Sequence, residues 1–123
     1  KHTLTDIFAR FLVKQLTFHI ARREGMIDRL AQGATENPPA WQQLDKEYDD
    51  ITEELKQQGR YFHEGGGSVF MDFKNLLDSI VPEGGMDEIA SRFSSNMSKD
   101  DLLKAARQVV EGWQSGSGGE RNR

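Results

Sequence analysis

Cysteine is absent from this chain of 123 residues. There can be no disulfide, no thiolate nucleophile and no Cys-ligated zinc or iron–sulfur centre. The absence fits any compartment and so assigns none. Long apolar runs are also missing. No uninterrupted stretch approaches the ~20 residues of a membrane span. Residues 7–16 are apolar enough for a short signal-peptide core, but Arg10 and Lys14 interrupt them and no small-residue cleavage site follows. The expectation is a soluble intracellular chain with no membrane partner. The opening Lys1 and the Gly/Ser-rich end fit either a domain cut from a longer protein or a processed or trimmed chain.

Charge of one sign is not in excess. Lys and Arg number 16 against 20 Asp and Glu, a formal net charge of −4. That argues against a dedicated nucleic-acid binder, although a local basic patch can still act. Convincing period-2 alternation and internal repeats are lacking as well. The apolar residues instead recur at three- and four-residue spacing, the mark of helices packed on one side. We therefore expect an all-α fold. It is a bundle of about five helices, built on a long N-terminal helical hairpin followed by three shorter helices. The length suits one domain, burying about two thirds of the surface of its unfolded chain.

The stretch 3–32 organises the rest. Thr3 and Asp6 form an acidic capping box, and Leu4, Ile7, Phe8, Phe11, Leu12, Val13, Leu16, Phe18 and Ile20 cover most of the helix circumference. Such a helix needs cover on several sides. Beyond Ile20, Met26, Ile27 and Leu30 continue the apolar face, but Arg22, Arg23 and Arg29 project from the same arc. These arginines either lay their stems on the bundle or meet a partner. Gly25 is expected to weaken or bend the helix, and Gly33 to stop it.

A loop over 34–38 leads to a second helix, 39–63, with Pro39 at its first position. Trp41, Leu44, Tyr48, Ile51, Leu55 and Phe62 form a heptad seam on it. The seam either docks on the first helix as an antiparallel hairpin or forms an intermolecular coiled coil. Charge favours the hairpin. Residues 1–30 carry six basic and three acidic side chains (+3), and residues 41–58 carry two basic and six acidic ones (−4). The glycines at 65–67 read as a hinge. Three more helices follow at 68–80, 86–93 and 99–114, the first and last opened by Ser68 and Ser98. Residues 115–123 read as a flexible tail or linker.

Chemistry is harder to find. The histidines, His2, His19 and His63, show no metal-ligand spacing. His19 reads as a packed core group and His63 as part of a helix end. The run 65–68 lacks the lysine and spacing of a phosphate-binding loop. The F-x-x-L-L pattern at 73–77 occurs in almost any amphipathic helix, and the Asn96-Met97-Ser98 sequon reads as chance. No catalytic, cofactor or metal site is assigned. The function expected is a non-enzymatic protein-protein interaction module, a scaffold, adaptor or regulator that self-associates or docks on a larger partner. Candidate partner-binding residues are Arg22, Arg23, Arg29, Trp41, Tyr48 and Trp113, because interface hot spots favour Trp, Tyr and Arg. The alternative is nucleic-acid binding through the basic end of the first helix.

Overall fold

A computed structural model describes residues 3–25, 38–80 and 85–121. Among these residues there are five α-helices and no strand: α1 Leu4–Arg23, α2 Pro39–Gln57, α3 Val69–Ile80, α4 Gly85–Ala90 and α5 Lys99–Arg121. The chain is all-α.

Capping sets several starts. Thr3 Oγ1 accepts from the Asp6 amide at 3.1 Å, Ser68 Oγ from Met71 at 3.2 Å and Ser98 Oγ from Asp101 at 3.1 Å. Each removes one of the unpaired amides of a first helical turn. Pro39 opens α2, where its missing N–H costs nothing.

α1 lies at the centre and touches each of the other four helices, with α5 and α2 the closest associates. Phe11, Leu12 and Leu16 are fully enclosed. α2 runs antiparallel to it. Arg10 of α1 meets Glu47 of α2, and one turn later Lys14 meets Asp45. The seam residues Trp41, Leu44, Ile51 and Leu55 are buried within this chain, and Tyr48 is half-buried. The hairpin is therefore intramolecular. α5 packs on another side of α1 through Leu102, Ala106 and Val110. Phe8, Phe11, Phe70 and Phe73 form an aromatic centre where α1 and α3 meet. The Phe11 and Phe73 rings stand edge to face, 5.6 Å apart at 88°, a favoured aromatic geometry.

One carboxylate ties three helices together. Glu47 of α2 takes Arg10 Nε of α1 at 2.9 Å and Lys99 Nζ of α5 at 2.5 Å. Burial works to raise the Glu47 carboxyl, but the hydrogen bonds and charges of Lys99 and Arg10 prevail and hold it below its ordinary value. Asp6 of α1 likewise receives Arg107 Nε of α5 at 2.8 Å. Burial opposes that shift too, and Arg107 and Thr3 outweigh it.

Several boundaries differ from those expected. α1 ends at Arg23, not at residue 32, because Gly25 turns left-handed at φ +73 and its amide returns to the Arg22 carbonyl. Met26, Ile27, Arg29, Leu30 and Gly33 lie outside the described residues, as do the loop residues 34–37 and 81–84. The side chains of Phe18 and Ile80 are also outside them. α2 ends at Gln57, where Gly59 at φ +70 breaks the helix before Phe62 can join the seam. α4 stops at Ala90, and three successive i→i+3 hydrogen bonds carry the chain on to Phe93. α5 continues to Arg121 through the segment expected as a tail. Glycine costs about 1 kcal/mol per residue relative to Ala in a helix. The extension therefore propagates from the packed part of α5, since its own sequence does not favour it.

Candidate functional site

Two places combine exposure with unusual local chemistry. The first is the hairpin between α2 and α3. Phe62 pairs with Ser68 in an isolated antiparallel bridge. The His63 amide donates to the Gly67 carbonyl at 3.1 Å, Gly66 to His63 at 3.2 Å and Val69 to Tyr61 at 2.9 Å. The three glycines all have positive φ, with Gly66 at +111. That is backbone an L side chain rarely adopts. The run expected as a hinge is thus a closed, hydrogen-bonded turn. His63 Nε2 sits 2.7 Å from Asp72 Oδ2, fastening the turn to α3. The turn leaves Phe62 65% exposed, with its ring edge-on to Tyr61 at 4.9 Å. Met71, in the first turn of α3, is 48% exposed.

The second place is the end of α1 against α4. His19, Arg22, Arg23, Asp87 and Ala90 wall an open cavity of about 310 Å³. Arg23 caps the end of α4: Nη1 donates to the Ala90 carbonyl at 2.8 Å and Nη2 to the Phe93 carbonyl at 2.5 Å. The next residue acts similarly. Glu24 accepts from the Ser95 hydroxyl and from its amide at 3.2 Å, and lies 3.3 Å from Arg23. The Ser95 hydroxyl chiefly, and then its amide and Arg23, hold the Glu24 carboxyl below its ordinary value against the effect of burial. His19 Nδ1 is buried without a hydrogen-bond partner among the described residues, and Asp87 Oδ1 stands 3.7 Å away.

The candidate partner-binding residues divide accordingly. Arg22 and Arg23 are exposed at this cavity, although the Arg23 guanidinium is engaged by main-chain carbonyls. Arg29 lies outside the described residues. Trp41 is 3% exposed and Trp113 9%, so both rings are packed into the core of this chain. The Trp113 ring is 6.5 Å from that of Phe73. Tyr48 is half-buried, edge-on to Phe11 at 5.2 Å, with the Lys14 ammonium 5.4 Å above its ring. Burial pushes its hydroxyl above the ordinary tyrosine range. The helical stripes that made these aromatics conspicuous are the same stripes that turn them inward.

Phe62, Met71, Asp72 and Asp87 were not singled out from the sequence as site residues. Phe62 was assigned to the seam, and the nine-residue separation of His63 from Asp72 matches no helical spacing. Each histidine has half of what a His–carboxylate catalytic pair requires. His63 has the close carboxylate on an open surface, and His19 has the cavity with a carboxylate beyond hydrogen-bond reach. Among the described residues, no three His, Asp or Glu side chains are grouped to hold a metal ion, and no helix is long and apolar enough to cross a membrane. No protein-family model, curated protein or solved structure matches this chain.

Proposed function

We propose that this chain is a non-enzymatic helical protein-protein interaction module, a scaffold, adaptor or regulator that self-associates or docks on a larger partner. The observation that carries this reading is Phe62, a large aromatic left mostly in solvent on a turn that backbone hydrogen bonds hold closed. A flexible loop would be free to fold such a ring inward. Aromatic and methionine side chains are enriched in interfaces, and a preorganised one loses less conformational freedom on binding. Met71 adds an adaptable apolar surface in the helix that the turn leads into.

Sedimentation at several concentrations, alone and with cell extract, tests this against a variant carrying Phe62→Ser and Met71→Ser. The expected result is concentration-dependent association or a retained partner that the variant loses. A wild-type chain that stays strictly monomeric and retains no partner would refute the proposal.

A further inference from the structure

The contact between α1 and α4 is incomplete in a specific way. At its C-terminal end α4 is fastened by Arg23, which holds the Ala90 carbonyl. Toward its N-terminal end, His19 Nδ1 and Asp87 Oδ1 face each other across 3.7 Å, longer than a hydrogen bond. Nδ1 is buried and has no other partner among the described residues. A neutral imidazole carries a proton on one nitrogen and a lone pair on the other. With the lone pair at Nδ1 the Asp87 carboxylate meets no donor, and with the single proton there it meets only a neutral one. With both nitrogens protonated, a buried cationic N–H points at a carboxylate, the arrangement that makes the stronger class of hydrogen bond.

We propose that His19 and Asp87 form a proton-operated clasp, in which protonation of the imidazole draws the Asp87 carboxylate onto Nδ1 and closes the first turn of α4 over the cavity at the end of α1. The inference is independent of the interaction surface at Phe62. Asp87 is free to make the movement. Its side chain is 86% exposed, and closing to an ordinary charge-assisted contact takes roughly 1 Å.

The charged groups around the imidazole make Asp87 the decisive one. Arg22 and Arg23 line the same cavity from α1 and oppose a positive imidazole. The carboxylate of Glu24, 3.3 Å from Arg23, offsets part of that charge but is itself engaged by Ser95. Among the described residues, α2 and α5 contribute no charged side chain to the cavity wall. Asp87 is thus the one carboxylate among the described residues that wall the cavity, and it faces Nδ1. By linkage, protonation in turn favours the closed position of Asp87.

The test is an amide and imidazole NMR titration of the full chain from pH 8 to pH 5. The amides of residues 85–92 are expected to shift in one step, in register with the His19 ring. His19→Gln should abolish the step, which separates it from titration of His2 and His63. Asp87→Asn, at an exposed position where the fold should persist, should leave the ring titrating and remove the α4 response. The proposal is overturned if the α4 amides stay flat while His19 titrates, if the ring does not titrate in this range, or if the step survives unchanged in Asp87→Asn.

Discussion

Two phenylalanines of this chain should respond very unequally to the same substitution. Phe11 is fully enclosed, and its ring lies 5.2–6.2 Å from those of Tyr48, Phe73, Phe70 and Phe8. Phe11→Ala removes the transfer free energy of the ring and leaves a cavity that three helices must collapse to fill. Such changes cost about 3–5 kcal/mol. The lost edge-to-face contacts are worth about 0.5–1.5 kcal/mol each, though not additively. A domain of this size is stable by about 5–15 kcal/mol in all, so the variant gives up a large fraction and can fall below the folding threshold. Phe11→Leu, which retains most of the volume, should lose about 1–2 kcal/mol and remains measurable. Phe62→Ala should change stability by less than about 1 kcal/mol, since most of its ring already faces water. Urea unfolding followed by the fluorescence of Trp41 and Trp113 reads all three. The reasoning fails if Phe11→Leu and Phe62→Ala shift the urea midpoint equally at an unchanged slope.

Further expectations concern charge and backbone. Glu47→Gln weakens both the Arg10 and the Lys99 contacts, and should cost about 1–2 kcal/mol in urea unfolding at pH 7. Asp6, Glu24 and Glu47 all have carboxyl values depressed in the folded state. Their stabilisation is therefore complete above the unfolded values of about 4 and is lost as pH falls through the lower folded values. Urea midpoints should drop between pH 5 and pH 2, less steeply in Glu47→Gln, and an identical pH slope in that variant would contradict the assignment. Gly66→Ala meets no atom within 4 Å but must hold φ near +111. It should destabilise by about 1–3 kcal/mol through backbone strain and increase hydrogen exchange at the His63 and Gly66 amides. Unchanged protection would show that the turn tolerates the substitution.

Much of the fold could be read from local pattern because the physics there is local. Thr3, Ser68 and Ser98 need only an amide three residues away, and each finds it. Phe73 and Leu77 sit on one helical face whatever that face packs against, and both are buried. The helix ends were less legible. Gly25 and Gly59 were read as residues within helices, and left-handed backbone made them terminators. The candidate sites were the least legible. Arg23 reaches carbonyls 67 and 70 residues away, and His63 meets Asp72 only because a turn brings them together. Composition marks Trp41 and Trp113 as suitable anchors, but burial depends on neighbours that a single sequence does not place.

The central position of α1 carries a consequence for the order of events during synthesis. The helix most in need of cover is made first, and its most extensive neighbour, α5, is made last. About a hundred residues separate Leu12 from Trp113, so at bacterial to eukaryotic elongation rates some 5–20 s pass before the last inward face emerges. α2 and its acidic residues arrive earlier and can shield one flank of α1. The flank destined for Leu102, Ala106 and Val110 stays bare until α5 has been made, and over that interval it is uncovered apolar surface of the kind that promotes aggregation.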